Sequence, residues 1–517
     1  MLRQEIKKIV ERIVKNSYNQ EVDVEVGQPL SVVFGDRSTN VTMILRKDPK
    51  EIVPILSKEA LFSKVEAKNG FINFFISPNY LQRQIKEILK KKNNFGKLSL
   101  GQNKKINVEF ISANPTGPLT VGNSRGGIIG DVLSNVLTSA GWRVTREYYF
   151  NDAGGQIDVL GHSILKDEQA QYKGPYIDEL HEKLNKNLTD AREVGKWAAK
   201  ILIEEIKKTT ERMGIRFDVW LAEGQDLREK GKVKKIIEWI DKKGLSYRAE
   251  GALWFRSTDF GDDKDRVLIK KDGEPTYFAV DCAYHKNKLV ERKFDRIINV
   301  WGADHHGDIS RIKGFVAALG LQDKLSILIH QFVRIIKDGQ EVRMSKRAGN
   351  YITVDELLDE VGLDIARFFF LTKSPTTHLN FDLDLAKEKS DKNPVYYLQY
   401  AFARITSILQ KAKEAGLKAK SDDNSLKLLL HESELNLLKE LIRLPEVIED
   451  ITKDYQVQRL PQYAKDLAGA FHRFYRDCRV ITEDRKLSSA RLSLVLASQI
   501  VLKNVLDLMG VSSPEKM

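Results

Sequence analysis

Apolar residues recur every three or four positions between residues 128 and 137, and a β-rich segment lies on each side of them. The preceding segment, INVEFIS, spans residues 106–112, and the following one, WRVTREYYF, spans residues 142–150. These patterns predict a strand, a helix that ends at Gly141, and a second strand. Such a βαβ unit places a helix N-terminus, with free N–H groups, where a phosphate can bind. The connecting loop NPTGPLTVGNSRGG, residues 114–127, is equally typical of an ordinary turn between a strand and a helix.

The N-terminal part of the chain has the pattern of a small α/β unit. The segment IKKIVERIVK at residues 6–15 predicts an amphipathic helix, and NGFINFFIS at residues 69–77 predicts a strand. A further helix should begin directly afterwards, with Ser77 as its N-cap and Pro78 at its first position. The basic segment KKKNNFGK, residues 90–97, then predicts a linker.

Helical and β-rich stretches alternate beyond the βαβ unit. Residues 160–245 are helical in pattern and highly charged, whereas residues 251–278 are β-rich around an Asp-Gly turn. FDRIINVWGADHHG predicts a strand and a glycine loop, RIKGFVAALG predicts a helix with a glycine stop, and LSILIHQFVRIIKDGQEVRM predicts two strands joined by a turn. TVDE, residues 353–356, has the form of a capping box. From about residue 385 onward the chain predicts a bundle of helices.

Composition narrows the class of protein. A chain of 517 residues is too long for one core, and typical domain sizes predict about three or four domains. The two cysteines, Cys282 and Cys478, make neither a disulfide framework nor a zinc site, so a cytoplasmic location is expected. We expect no membrane-spanning segment and no signal peptide. The net charge of +12 favours a polyanionic partner, although a generic basic surface gives the same value.

Seven segments, in order along the chain, resemble the arginyl-tRNA synthetase family of class I aminoacyl-tRNA synthetases. They are SANPTGPLTVGNSRGGIIGDVL, REYYFNDAGGQI, TDFGDDKDRVL, PTYFAVDCAYH, NVWGADHHGD, RMSKRAGNYIT and LPQYAKDLAGAFHRFY. The resemblance implies a multidomain fold, α/β plus all-α. Residues 1–105 would form a small N-terminal α/β domain that contacts the tRNA elbow. Residues 106–385 would form a Rossmann-type catalytic domain with an inserted subdomain at about 160–260, and residues 386–517 a helical anticodon-binding domain.

The reaction of the family implies the role of a second loop. An arginine carboxylate attacks the α-phosphorus of ATP, pyrophosphate leaves, and the 3′-terminal ribose of tRNA(Arg) then accepts the arginyl group. The chain would thus be an arginine–tRNA ligase that uses ATP with Mg²⁺. RMSKR, residues 343–347, resembles the KMSKS loop of the family. Lys346 and Arg347 are the implied catalytic cations, and Met344 and Ser345 would bind ATP.

The loop before the first Rossmann helix departs from the family pattern. Where the class I motif has two histidines, this chain has Thr120 and Asn123. A hydroxyl and an amide are both donors, so these two residues are the implied catalytic donors to the triphosphate, but neither can carry a positive charge. Gly122 and Pro118 would lie against ATP.

The resemblance also implies an arginine pocket. Glu109 and Asp281 would hold the planar guanidinium as a pair of carboxylates, with Tyr277 one helical turn before Asp281. Asn114 would bind the α-amino group, and His305 would line the same pocket.

The remaining implied sites concern ribose and tRNA. Gly302 and Asp304 would bind the adenosine ribose, and the adjacent His305 and His306 lack a third ligand nearby in sequence, so no structural metal is expected. A monomer is expected, because no coiled-coil stretch is present. The candidate tRNA-binding residues are aromatic and polar positions in the C-terminal helices, namely Tyr396, Gln399, Tyr400, His472, Tyr475 and Arg479.

Two alternatives stay open at the level of sequence. The loss of both motif histidines also fits a non-catalytic tRNA-binding relative with a degenerate active site. Two carboxylates in the pocket also suit lysine, although lysine lacks the planar fork that would use both. The retained pocket residues and the MSKR segment favour an active arginine enzyme.

Overall fold

The computed structural model describes residues 1–29, 31–342 and 351–517. Its N-terminal elements are α1 (Leu2–Tyr18), β1 (Arg37–Thr39), α2 (Val41–Leu45), α3 (Pro49–Leu56), β2 (Phe62–Lys68), β3 (Phe71–Ile76) and α4 (Pro78–Lys91). The three strands form an antiparallel sheet of order β1-β3-β2. The predicted N-terminal helix and strand are confirmed as α1 and β3. The predicted cap is confirmed as well, because Ser77 Oγ accepts a hydrogen bond of 3.3 Å from the Tyr80 N–H.

The segment after α4 is not the linker that its sequence predicted. It turns through a short 3₁₀-helix, Lys92–Asn94, and then buries the side chain of Phe95. Asn504, far along the chain, donates hydrogen bonds of 3.0 Å to the carbonyl oxygens of Lys92 and Phe95. The linker prediction is wrong because the charged residues flank an apolar anchor that docks on a C-terminal helix.

The middle of the chain carries eleven strands among the described residues. They are β4 (Lys105–Glu109), β5 (Arg143–Phe150), β6 (Val219–Ala222), β7 (Ser246–Ala249), β8 (Ala252–Phe255), β9 (Arg266–Ile269), β10 (Arg296–Gly302), β11 (Leu325–His330), β12 (Val333–Lys337), β13 (Gln340–Val342) and β14 (Leu379–Asp382). Five of them form a parallel sheet of order β11-β10-β4-β5-β6. Strands β7, β8 and β9 form a separate antiparallel sheet in that order.

Ten helices accompany these strands in the described residues. They are α5 (Val121–Ser139), α6 (Gly155–Leu165), α7 (Pro175–Lys183), α8 (Ala191–Arg212), α9 (Lys232–Lys242), α10 (Tyr277–Lys286), α11 (Ile309–Ala318), α12 (Val354–Val361), α13 (Leu363–Phe370) and α14 (Leu383–Lys387). The βαβ unit is confirmed as β4, α5 and β5, and Gly141 follows the helix with a φ of +88°. The capping box is confirmed at Thr353 and Glu356, which opens α12.

Both faces of the parallel sheet are covered by apolar clusters, and one of them also carries buried polar side chains. Ile106 and Val108 of β4 point to the face that α5 covers, as alternation requires. Asn107 points to the opposite face, where it donates a hydrogen bond of 3.0 Å to buried Glu147. Tyr284 of α10 donates one of 2.7 Å to the same carboxylate. Buried polar groups of this kind need partners, so α10 and the sheet are matched by hydrogen bonds rather than by apolar contact alone.

One predicted strand is divided in two. The pattern from Leu325 to Ile336 predicted a continuous strand, but β11 ends at His330 and β12 begins at Val333. The turn is fixed from outside the segment, since Arg125 Nη1 donates a hydrogen bond of 2.8 Å to the Gln331 carbonyl. Strand β12 leaves the parallel sheet and pairs with β13 and β14.

The C-terminal part is a helical bundle, as its sequence predicted. Its helices are α15 (Pro394–Glu414), α16 (Asp423–Leu426), α17 (Glu432–Leu441), α18 (Leu444–Asp454), α19 (Arg459–Asp477) and α20 (Arg485–Met509). Helix α20 has the length and composition to cross a membrane, but 67% of its most apolar stretch is buried inside the protein, which is typical of a core helix. The predicted fold class, α/β domains followed by an all-α region, is confirmed.

Candidate active site

The carboxyl ends of five parallel strands meet at one edge of the sheet. The strands end at Glu109, Phe150, Ala222, Gly302 and His330. From β4 the chain runs to β5 and β6 on one side, and it returns through β10 and β11 on the other. The crevice between β4 and β10 is therefore a topological switch point, which is where ligands bind in open α/β sheets.

Glu109 lies at this point and is almost completely buried, at 4% exposure. Lys288 Nζ, itself fully buried, donates a hydrogen bond of 2.6 Å to Glu109 Oε2, and the Ser112 hydroxyl donates one of 3.1 Å to Oε1. Lys288 also reaches Asn299 Oδ1 at 3.2 Å. Each carboxylate oxygen can accept more than one hydrogen bond, so Glu109 keeps acceptor capacity for a further cationic group.

The backbone after Glu109 takes an unusual turn. The predicted strand extended to Ser112, but β4 ends at Glu109, because Ile111 and Ser112 adopt φ angles of +67° and +48°. A positive φ is a genuine outlier for a β-branched residue such as isoleucine. The turn places the Ser112 hydroxyl where it donates to Glu109 and accepts a hydrogen bond of 3.1 Å from the Tyr149 N–H.

Asp281 is the second carboxylate of the predicted pocket. It lies on α10 one turn after Tyr277, as predicted, and Arg311 Nη2 is 3.1 Å from its Oδ2 atom. Burial raises the pKa of Asp281 to about 7, against the opposing effect of Arg311, and the carboxylates of Glu223 and Asp308 raise it further. The raised pKa means that the surroundings of Asp281 stabilise its negative charge poorly. A bound cation would stabilise that charge and lower the pKa.

Tyr149 and Glu223 enlarge the acidic region, although the sequence patterns did not indicate either of them. The Tyr149 hydroxyl donates a hydrogen bond of 2.5 Å to Glu223 Oε2, and Arg228 binds the other carboxylate oxygen at 2.6 Å. Burial raises the pKa of the Tyr149 hydroxyl, and the nearby carboxylates of Glu223 and Asp281 add to the shift. Lys288 and Arg311 were missed as well. All four come from separate elements, so no spacing in the sequence links them to Glu109.

Asn114 ties two loops together beside the pocket. Its Oδ1 accepts a hydrogen bond of 3.1 Å from the Asn151 N–H, and its Nδ2 donates one of 2.7 Å to Gln156. Tyr277, the first residue of α10, is 58% exposed and follows the N-cap Thr276. Asn114 thus lies in the loop between β4 and α5, and Tyr277 lies at the start of α10, accessible to solvent.

Thr120 and Asn123 form the N-terminal cap of α5. The Thr120 N–H and hydroxyl donate hydrogen bonds of 3.0 and 3.1 Å to Asn123 Oδ1. This bond pattern commits the oxygen of the Asn123 amide to the cap, while its NH₂ group stays available as a donor. A Cβ added at Gly122 would meet only the Thr120 hydroxyl, at 3.8 Å, so the glycine leaves open space at the helix end. Pro118 lines a cavity of about 250 Å³ beside α8.

The end of β10 continues into a 3₁₀-turn, Ala303–Asp308. Asp304 and His305 are exposed there, and His305 Nδ1 lies 3.2 Å from Asp308 Oδ2. A Cβ at Gly302 would collide with the carboxylate of the exposed Asp304, so a larger residue there would displace that side chain.

His330, at the end of β11, is a histidine that the sequence analysis did not single out. Its ring lies against α5, since a Cβ at Gly126 would lie 2.6 Å from its Nε2 atom. Burial lowers the pKa of His330 to about 4, and the nearby Arg125 guanidinium lowers it further. Its imidazole is therefore neutral at physiological pH, so it does not replace a cationic histidine of the class I motif.

Five residues of the predicted second loop, Arg343, Met344, Ser345, Lys346 and Arg347, lie outside the described residues. Within the described residues, no group of three or more His, Cys, Asp or Glu side chains is arranged to hold a metal ion.

The candidate tRNA-binding residues separate into two groups. Arg404 stacks over the rings of Tyr400 and Tyr475, at 5.0 and 4.9 Å from their centroids, and both rings are more than one third exposed. His472 packs 6.1 Å from the Tyr400 ring and is partly buried. The Gln399 amide, by contrast, donates a hydrogen bond of 2.8 Å to Asp364 of α13.

Two further candidates do not join this stack. Arg479 is exposed and follows the end of α19, and Tyr396 is partly buried near the start of α15. The structure therefore brings together Tyr400, His472 and Tyr475 and leaves the other three apart from them.

Models of known families match almost the whole chain. "tRNA synthetases class I (R), catalytic domain" matches residues 84–190 and 177–373, "Arginyl tRNA synthetase N terminal domain" matches residues 1–76, and "DALR anticodon binding domain" matches residues 398–517. The chain belongs to the arginyl-tRNA synthetase family. The match to the catalytic domain favours the active enzyme over the non-catalytic alternative.

Individual arginyl-tRNA synthetases are similar in sequence to this chain over almost their full length. The arginine–tRNA ligase of Carboxydothermus hydrogenoformans is 43% identical, over 96% of this chain and 95% of that protein. The ligase of Acetivibrio thermocellus is 42% identical over 99% of both chains. The solved structure of Thermus thermophilus arginyl-tRNA synthetase superposes with a TM-score of 0.82 and covers 100% of both chains, at 22% identity, which establishes the shared fold.

Proposed function

We propose that this protein is an arginine–tRNA ligase, which uses ATP to convert L-arginine to arginyl-adenylate and transfers it to the 3′-terminal ribose of tRNA(Arg). The observation that carries the proposal is the concentration of carboxylates at the switch point of the sheet. Glu109, Asp281 and Glu223 come from three different elements, and each already has a cationic partner inside the protein. A planar guanidinium can bridge two such carboxylates with paired hydrogen bonds, which favours arginine over lysine.

Within this pocket, Glu109 and Asp281 bind the guanidinium of the substrate, and Tyr277 lies beside it. Asn114 binds the α-amino group. Hydrogen bonds to Asn151 and Gln156 hold its side chain in place on the loop after β4. His305 lines the pocket from the 3₁₀-turn after β10. The arginine carboxylate is then free to attack the α-phosphorus of ATP, and the protein acts mainly by positioning the two reactants.

ATP lies along the N-terminus of α5 and the end of β10. Free N–H groups and the dipole of α5 attract the triphosphate, Thr120 and Asn123 donate to its oxygens, and Gly122 and Pro118 lie against the nucleotide. Gly302 and Asp304 bind the ribose. Met344 and Ser345 contact ATP, and Lys346 and Arg347 neutralise the charge that develops as pyrophosphate leaves. Mg²⁺ that enters with ATP would supply further positive charge to the phosphates.

The direct test is aminoacylation of an arginine-accepting tRNA with ATP, Mg²⁺ and labelled arginine, with labelled lysine as the competing substrate. Charging with arginine alone is expected. ATP–pyrophosphate exchange should be measured with tRNA present, because members of the family generally need tRNA to activate arginine. Folded protein that binds the tRNA without charging it would contradict the proposal and identify a non-catalytic relative.

The cap of α5 gives a prediction that separates folding from phosphate binding. Asn123→Asp keeps an oxygen acceptor for the Thr120 cap but replaces the NH₂ donor by a negative charge, so kcat/KM for ATP should fall about 100-fold while the unfolding midpoint stays the same. Thr120→Ala should lower kcat/KM several-fold.

The measurement is steady-state pyrophosphate exchange together with thermal unfolding. Asp48→Asn, which exchanges a carboxylate and an amide at the N-cap of α3 in the N-terminal part of the chain, serves as the control. Unchanged ATP kinetics in Asn123→Asp would show that Asn123 does not bind ATP.

The C-terminal bundle gives a prediction about tRNA. We propose that the rings of Tyr400 and Tyr475, joined by Arg404, form a platform on which an anticodon base stacks, while Gln399 and Arg479 act less directly. Tyr475→Ala should raise KM for tRNA about tenfold with little change in kcat, because one stacked base contributes about 1–3 kcal/mol. Leu430→Ala, at an exposed apolar residue of the same domain, is the control. An unchanged KM for tRNA in Tyr475→Ala would exclude the platform.

We also propose that the protein is a cytoplasmic monomer with domains at 1–105, 106–385 and 386–517, the N-terminal domain contacting the tRNA elbow. Support for the location comes from Cys282 and Cys478, which are both buried and unpaired. Size-exclusion chromatography with light scattering tests the oligomeric state.

A further inference from the structure

A second polar cavity opens at the opposite edge of the parallel sheet. It has a volume of about 420 Å³ and is lined by Lys105, Arg143, Thr145, Arg292 and Phe294. Three of these five residues are cationic, and none of them belongs to the candidate active site.

The position of the cavity follows from the register of the strands. Lys105 and Arg143 are the first residues of β4 and β5 and lie side by side, and Thr145 is two positions further along the same face. Arg292 and Phe294 come from the connection that leads into β10. The cavity is therefore at the amino edge of the sheet, whereas Glu109 lies at the carboxyl edge.

The register of β4 and β5 relates the cavity to the acidic pocket. Glu147 lies beside Glu109 in this register, and it accepts hydrogen bonds from Asn107 at 3.0 Å and from Tyr284 at 2.7 Å. Arg292 binds the same carboxylate from the side of the cavity. An anion bound at Lys105 and Arg143 would lie four residues along the strands from Glu109 and Glu147, with Arg292 on the side of the cavity.

The positive charge of the cavity is only partly compensated. Arg292 uses Nη2 for Glu147, but its Nη1 atom is buried and has no hydrogen-bond partner among the described residues. Neither Lys105 nor Arg143 makes an ion pair in the part of the chain that the structure describes. The Asp295 carboxylate accepts a hydrogen bond of 2.8 Å from the Lys105 backbone N–H rather than from the ammonium group.

The floor of the cavity is fixed. The Phe294 ring is 5% exposed, and the Arg292 guanidinium lies 4.8 Å from its centroid. This stacking, together with the bond to Glu147, holds the guanidinium plane in one orientation.

We propose that this cavity binds a small phosphorylated metabolite of about the size of a sugar phosphate. Two guanidinium groups, one ammonium and the Thr145 hydroxyl are the donors that a phosphate dianion requires, and guanidinium groups bind phosphate through paired hydrogen bonds. The volume exceeds that of a phosphate ion alone, which leaves room for the organic part.

Isothermal titration of the full-length protein with inorganic phosphate and with ribose 5-phosphate tests the proposal, with ribose as the uncharged comparison. Ribose 5-phosphate should bind more tightly than inorganic phosphate, and ribose should not bind. Arg143→Gln, at an exposed strand residue, should weaken both phosphorylated ligands at least tenfold. Arg248→Gln, at an exposed residue of β7, is the matched control and should leave both affinities unchanged.

Three results would overturn the proposal. They are no binding of ribose 5-phosphate at millimolar concentration, binding no tighter than that of inorganic phosphate, and equal binding by Arg143→Gln and the parent protein. The last result would place the bound anion elsewhere, including the ATP site. Because the titration needs neither tRNA nor turnover, its outcome is independent of the aminoacylation test.

Discussion

Replacing Asp281 by asparagine should lower kcat/KM for arginine about 100-fold, mainly through KM. A hydrogen bond to a charged partner contributes about 1.5–3 kcal/mol, and each 1.4 kcal/mol corresponds to a factor of ten. The substitution removes one of the two charges proposed to bind the guanidinium. It should leave the fold intact, because Arg311 keeps a second carboxylate partner, Asp308, at 3.1 Å.

The same residue predicts a dependence on pH. Burial raises the pKa of Asp281 to about 7, so the carboxyl group is neutral below that pH and charged above it. Arginine binds the charged form, and its KM should therefore rise about tenfold as the pH falls from 8 to 6. Binding at pH 6 should release close to one proton.

Arginine-dependent pyrophosphate exchange, measured with tRNA from pH 6 to pH 8, checks both results. Asp272→Asn, in the exposed turn before α10, is the matched control and should behave like the parent protein. Kinetics of Asp281→Asn equal to those of the parent protein would show that Asp281 does not bind arginine. A KM that rises as steeply in Asp281→Asn as in the parent would assign the titration to another group.

Replacing Glu109 by glutamine should cost both stability and activity. The substitution leaves the ammonium group of Lys288, which is fully buried, without its carboxylate. Breaking a buried ion pair in this way costs about 3–5 kcal/mol of unfolding free energy. The arginine guanidinium would lose one of its two proposed partners at the same time, so charging should fall by at least a factor of 100.

A double variant separates the two effects. Glu109→Gln/Lys288→Met removes the unpaired charge and should recover most of the lost stability, because a matched apolar replacement of a buried pair is often neutral. It should not recover arginine charging. Urea unfolding and aminoacylation are the two measurements, and Lys288→Met alone completes the cycle. Parental charging by the double variant would show that Glu109 serves only the fold.

The local elements of the fold could be predicted from the sequence where residues close in the chain determine them. The βαβ unit, the Ser77 cap and the TVDE capping box depend on contacts within a few positions, and the structure confirms each of them. The predictions failed where distant residues decide. Strand β4 ends early where the chain turns and Ser112 forms hydrogen bonds with Glu109 and Tyr149. The predicted strand from Leu325 to Ile336 is divided into β11 and β12 where Arg125 binds the intervening turn.

The residues of the candidate site likewise fall into those that the sequence indicated and those that only the structure showed. Recognisable segments of sequence marked Glu109, Tyr277, Asp281 and Asn114, because the resemblance to a family fixes positions in the chain. Lys288, Tyr149, Glu223 and Arg311 could not be found by that route, since each is an ordinary residue of its own helix, strand or turn.

The sequence by itself determined the helices, strands and caps that depend on neighbouring residues, and it indicated the family of proteins, because local periodicity and ordered motifs are properties of the chain. Only the tertiary structure decided how the charges are paired. It places Lys288 beneath Glu109, Arg311 beside Asp281, and Arg292 in a cavity at the far edge of the same sheet. The energy of a charge depends on its burial and on partners that are far away in the chain, and both are set when the sheet and α10 come together.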